Sequence, residues 1–231
     1  MPPPEGRLKL AAALGLALLL VVVVAAAAIR LEWTGWVRAI HRIAASLEVV
    51  VVLWLGWMAW RARTHWPAVL IALVLTVFLS AIGIAFGQEP PPAAATANLL
   101  GGLALTATFA WIVGKSGSDP KRINRALTPI FAVLLVIQLF LGARLAIVDR
   151  FAPALPVHGL LAIALAALLS WFALARVGGR IGKALFVLAL AAPIAGFTAL
   201  HYEYSAAAAL VHATAAALLV ASAAYALGRV A

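Results

Sequence analysis

The chain has 231 residues, 66% of them hydrophobic and 10% charged, with a formal net charge of +10 and a mean hydropathy of +1.12. Soluble domains run at about 45–50% apolar and 25% charged, so this composition excludes a water-soluble globular protein and describes an integral membrane one. The basic excess would suggest nucleic acid in a soluble domain, but here it belongs to loops that set orientation. The lack of cysteine excludes disulfides, thiolate haem ligands, iron–sulfur clusters and cysteine zinc sites.

A membrane-crossing helix needs about 20 apolar residues, and eight stretches qualify. The first, about 10–29, runs into "VVVVAAAAIRLEW". Its apolar run is longer than the roughly 7–15 residues of a signal peptide, so it reads as a retained span. The second, 36–60, is "WVRAIHRIAASLEVVVVLWLGWMAW" and carries Arg38, His41, Arg42 and Glu48. A charge in mid-bilayer costs about 2.5–3.5 kcal/mol on insertion scales, so such residues mark function or pair with a partner. The third span, 66–87, follows "RART" with Pro67 near its start; the fourth, 94–114, follows "GQEPPP" and holds Asn98. Residues 115–126, "KSGSDPKRINRA", form a basic linker between an N-terminal half, 1–114, and a C-terminal half, 127–231. Spans five to eight are then 127–147, 154–175 with His158, 183–200, and 205–228 with His212.

Basic residues favour cytoplasmic loops. With the N-terminus inside, the inner segments collect Arg7, Lys9, Arg61, Arg63, Lys115, Lys121, Arg122, Arg125, Arg176, Arg180, Lys183 and Arg229, 12 of the 17 basic residues. The outer side keeps Arg30, Arg38, Arg42, Arg144 and Arg150. A missed span would scramble this alternation, so the expected fold is all-α with eight transmembrane helices and both termini cytoplasmic. Trp33 and Trp36 fall at an outer boundary and Trp57, Trp60, Trp66 and Trp111 near inner ones, as an aromatic belt requires.

The two halves show matching features. "AAAAIRLEW" and "FLGARLAIV" close spans one and five, while "PPPAAATANLLGGLAL" and "YEYSAAAALVHATAAAL" open spans four and eight. The polar residues near the outer ends of spans two, four, six and eight are His41, Asn98, His158 and His212. Asn98 follows His41 by 57 residues and His212 follows His158 by 54; between halves the intervals are 117 and 114. Two duplicated four-helix bundles fit this spacing. Histidines at one depth on neighbouring antiparallel helices suit bis-imidazole ligation of a haem. A single such histidine is often only a hydrogen-bonding helix contact, and small residues serve close packing equally well. The matched pair His158/His212 favours ligation, since two costly buried groups share one level. His65 and His201 read as solvated loop residues without a role.

With "IHRIAASL", "ANLLGGLAL", "IQLFLGARLA" and "ALVHATAAALLVA", the chain resembles the haem A synthase family over most of its length. The resemblance implies a haem b held by His158 and His212, and a haem O substrate held in the first half by His41 beside Arg42. It implies oxidation of a haem O methyl group towards the formyl of haem A, in a bacterial inner (plasma) membrane, with haem O synthase or terminal oxidase assembly factors as partners and no role for nucleic acid. Three departures stand out. Arg38 takes the place of the family's glutamate three residues before the histidine, Asn98 stands where the second substrate histidine is expected, and the outer loops are short and lack the cysteine pair that many members carry.

Asn98 is a poor substitute for imidazole on iron. Glu48, seven residues after His41 on the same helical face, is the candidate catalytic carboxylate if the substrate sits deeper; otherwise it is protonated or paired within the bundle. Arg38 and Arg42 beside the substrate, and Arg144 and Arg150 beside the haem b, suit haem propionates, or else they snorkel to the interface. Three functions remain open: a haem A synthase-like oxidoreductase, a membrane b-type cytochrome that has lost the synthase chemistry, and a haem-free membrane assembly protein.

Overall fold

In the computed structural model the described residues are 4–33, 35–87, 90–116, 127–148 and 153–230. They form α1 (Pro4–Arg30), α2 (Trp36–Ala62), α3 (Trp66–Phe86), α4 (Pro92–Lys115), α5 (Leu127–Ile147), α6 (Ala154–Phe172), α7 (Gly179–His201) and α8 (Ala206–Val230). A π turn, Ala173–Val177, extends α6. All eight helices are long and apolar enough to cross a membrane, so the protein is a multi-pass helical membrane protein. The β-branched run Val49–Val52 stays helical because a segment in lipid must satisfy its own backbone groups. The hydroxyls of Thr96, Thr106, Thr108, Thr198 and Thr214 likewise donate to carbonyls four residues back, at 2.8–2.9 Å.

The apolar runs read from sequence coincide with these helices, with extensions at two starts. α1 begins at Pro4 and α7 at Gly179, each taking in a basic stretch that apolarity alone leaves in the loop. Arg150 and most of the basic linker lie outside the described residues.

In the first half, α1 packs on α2, α2 on α3, α3 on α4, and α4 back on α1. This closed bundle is filled. Leu8, Leu19, Val52, Leu55, Leu105, Phe109 and Ile112 share one core, and the Phe109 ring lies so close to Gly15 that a side chain there would overlap it.

In the second half, α5 packs on α6, α6 on α7 and α7 on α8. The remaining side is closed by α1 and α4, because α8 packs on both and α5 packs on α4.

The α4–α8 crossing joins the two halves. A Cβ on Gly114 would strike the carbonyl oxygen of Tyr225, and one on Gly228 would strike that of Trp111. The contact is reciprocal: Tyr225 follows Trp111 by 114 residues and Gly228 follows Gly114 by the same interval, which also separates Asn98 from His212.

At one end of the bundle, Arg63 and His65 adopt left-handed backbone angles and reverse the chain between α2 and α3. This end carries an aromatic belt: Trp60 packs edge-on against Trp66 at 6.2 Å, and Arg61 and Arg176 lie over Trp57 and Trp171. His65 is half-buried here rather than solvated. Its ring meets Trp111 at 6.3 Å and its Nε2 lies 3.4 Å from Ser116 Oγ. Burial lowers its pKa below the ordinary histidine value, and the opposing effect of Glu5 is smaller. His201 is exposed, edge-on to Tyr202.

Glu48 sits near the middle of α2 on the stripe Val37, Ala44, Glu48, Val52, Leu55, Ala59 that faces the bundle. It is only 5% exposed, and Thr76 Oγ1, at the middle of α3, donates to its Oε1 at 3.4 Å. Its partner is therefore a hydroxyl. Glu48→Gln keeps both volume and acceptor and is expected to change unfolding free energy by less than about 1 kcal/mol. Glu48→Lys puts an unpaired ammonium on the same stripe and should cost about 2.5–3.5 kcal/mol. Denaturant titration in detergent compares the two, and equal stabilities would remove Glu48 from this buried pairing.

Candidate functional site

The rings of His158 and His212 come together in the interior of the second half. Their ring centroids are 6.5 Å apart, with planes at 89°. His158 stands four residues into α6 and His212 six residues into α8, about 6 and 9 Å below the helix ends at 1.5 Å per residue. Two imidazoles bound trans to one metal, with metal–nitrogen bonds of about 2 Å and ring centres roughly 1 Å beyond each nitrogen, have centroids about 6 Å apart. The observed separation is close to that value.

Each ring is seated on a glycine of the preceding helix. A Cβ on Gly142 of α5 would lie 3.0 Å from His158 Cε1, and one on Gly196 of α7 would lie 3.0 Å from His212 Cε1. Each glycine precedes its histidine by 16 residues. At Gly196 the close approach lets His212 Nδ1 reach the backbone oxygen of Ala192, at 3.0 Å. A carbonyl only accepts, so Nδ1 carries the proton and Nε2 keeps its lone pair, the arrangement usual for a metal-bound imidazole.

On α5 the corresponding place, one turn from Gly142, is held by a side chain. Gln138 Nε2 lies 3.4 Å from His158 Nε2. His158 Nδ1 and Gln138 Oε1 are buried without a hydrogen-bond partner, a costly condition that marks a site built for a further group.

The histidines open onto a cavity of about 170 Å³ lined by all four helices of this half and by α1 and α4. Its polar side chains are Arg30, Gln138, His158 and His212. Most of the rest are alanine and leucine, among them Ala162, Ala166, Ala213 and Ala216. The volume is below the roughly 300–1,000 Å³ of typical ligand pockets, so a macrocycle requires rotamer changes in the lining leucines. Pro193 also lines the cavity, from within α7. With no N–H to give, it interrupts the hydrogen-bond ladder beside the Ala192 carbonyl that orients His212.

Among the described residues no group of three or more His, Asp or Glu is gathered. A bare ion here would find two imidazoles and the Gln138 amide oxygen. A haem brings four ring nitrogens of its own, and His158 and His212 would hold its iron within a dry apolar wall. The donor set and the glycine seats fit that group.

The other expected residues are dispersed. His41 is half-buried near the same end of α2 and lies in the field of Arg30 and Arg42, but no hydrogen bond joins it to the half-buried Asn98 among the described residues. Arg42 is exposed and Arg38 half-buried. Arg144, exposed at the end of α5, is not among the residues lining the cavity. Glu48 lines no part of this cavity either.

A second, open groove of about 330 Å³ runs between α2 and α3 towards lipid, with Thr76 and Ser80 as its polar side chains. It carries no metal-ligating group. Sequence reasoning missed Gln138, Arg30 and the seats Gly142 and Gly196. The shared 16-residue interval from glycine to histidine was the legible sign of the seats.

The chain matches no protein-family model and none of the curated proteins with which it was compared.

Proposed function

We propose that this protein is a membrane b-type haem protein of the haem A synthase kind, with one haem b held by His158 and His212 and used for electron transfer. The observation that carries the proposal is the approach of two imidazoles to 6.5 Å, each seated on a glycine, in a nearly apolar cavity. When bound, such a haem supplies reversible one-electron transfer. The chain's own part is to hold two neutral imidazoles at fixed separation, to orient His212 through the Ala192 carbonyl, and to exclude water with alanine and leucine.

The same reading includes two four-helix repeats related across the α4–α8 crossing, with both termini cytoplasmic in a bacterial inner membrane. The reciprocal Trp111–Gly228 and Tyr225–Gly114 contacts support the repeat. Carried through the interval of 114 that also relates Arg30 to Arg144, Gly142 and Gly196 correspond to Ala28 and Ile82 in the first half, and His212 to Asn98. The first half thus lacks both glycine seats and one imidazole, and its centre is filled by Phe109 and its neighbours. One haem per chain follows.

The second reading, methyl oxidation of a haem O substrate on His41, draws support from that imidazole lying within reach of the charges of Arg30 and Arg42. Pyridine haemochrome analysis of the purified chain separates the two. One haem b per chain with a low-spin spectrum is expected. Two haems per chain, or haem A in extracts of cells that also make haem O, favours the synthase. Colourless protein from haem-replete cells excludes both.

A further inference from the structure

We infer that Arg30, the last residue of α1, receives the acidic edge of the ligand seated between His158 and His212, so that the first half supplies the charged anchor for a site in the second. The inference rests on the haem reading and adds to it the group that binds the carboxylates.

Of the four polar side chains lining the cavity, Arg30 alone is charged in its ordinary state. The histidines would hold the iron, and Gln138 has its Nε2 turned to His158 and only an acceptor, Oε1, left unpaired. Arg30 makes no side-chain hydrogen bond or ion pair among the described residues, so its five N–H donors are free for a carboxylate.

Position agrees with chemistry. α1 packs against α8, and Val23, Ala27 and Arg30, on one face of α1, all line the cavity. Arg30 ends its helix, whereas the histidines lie about 6 and 9 Å below the ends of theirs. A flat ligand centred between the imidazoles, with its carboxylates turned towards this end, brings them to the guanidinium rather than into the alanine wall. Arg144, at the matching place on α5, lies off the cavity.

The test titrates the haem-depleted chain in detergent with haem b and with haem b dimethyl ester, following the bis-imidazole absorption. Wild type is expected to prefer the diacid by tenfold or more. Arg30→Gln should bring the diacid down to the ester's affinity while leaving the low-spin spectrum at saturation unchanged. Arg30→Lys keeps charge but loses the planar fork, and should lower the preference severalfold; it stands in if the glutamine variant does not accumulate. An unchanged preference in either variant overturns the anchor while leaving the haem site intact, as does equal affinity of wild type for the two forms. Wild type that binds neither form overturns the haem reading and the anchor together.

Discussion

His158→Ala and His212→Ala are each expected to yield purified protein with less than about a tenth of the wild-type haem, because each removes one of the two protein–iron bonds and with it the low-spin state, in a cavity that offers no other strong ligand. The two substitutions should be equivalent in their loss of the bis-imidazole spectrum, while His65→Ala and His201→Ala, which lie away from the cavity, leave it unchanged. The glycine seats sharpen this expectation. A leucine at Gly142 or Gly196 has its Cβ already 3.0 Å from the imidazole, and its remaining carbons must displace the ring. Gly196→Leu should also break the His212–Ala192 bond, adding a loss of the order of 10–100-fold typical of an orienting partner. Haem content normalised to folded protein, read beside the helical circular dichroism signal, checks the series. Full haem occupancy in either histidine variant would remove the axial pair from the site.

The second large effect belongs to the α4–α8 crossing. Gly114→Leu and Gly228→Leu each drive a side chain into a backbone carbonyl, of Tyr225 and Trp111 respectively. Backbone has no rotamer to yield, so the helices must separate. Overpacking typically costs about 1–3 kcal/mol and more where no relaxation is open, and these sites belong at the upper end. Small residues at membrane helix crossings do this work because lipid offers no hydrophobic drive for association. Since α4 also walls the cavity through Leu99 and Leu103, the same variants should bind haem more weakly. Equilibrium unfolding in mixed detergent micelles reads the first effect and haem titration the second. A Gly114→Leu chain as stable as wild type would show that the two halves are held by something other than this contact.

The dispersal of the expected first-half residues follows from packing. His41 and Asn98 share a level in the sequence pattern, as His158 and His212 do. What separates the pairs is the preceding helix of each hairpin: glycine at positions 142 and 196, and alanine and isoleucine at the corresponding positions 28 and 82. A ring can enter a bundle only where its neighbour leaves room. The first half instead brings Phe109 to Gly15 and closes its own centre. Glu48, expected as a candidate carboxylate, is held by Thr76 on a packed stripe, away from the cavity.

By itself the sequence determined that the chain is helical, that it holds eight segments long and apolar enough to cross a membrane, where its helices break, and that two histidines stand at comparable depth in the second half. These are properties of composition and one-dimensional spacing: apolar run length against bilayer thickness, and helical rise from a helix end. Only the tertiary structure decided that those histidines come within 6.5 Å of one another, that Gln138 and Arg30 join them, that Arg144 does not line their cavity, and that one bundle is hollow where the other is filled. Such facts depend on the rotation of each helix about its axis and on contacts between residues more than 100 positions apart, as with Arg30 and the cavity of the second half. Hydropathy fixes how deep a residue lies in a bilayer, whereas the fit of small residues against large ones fixes which way it points.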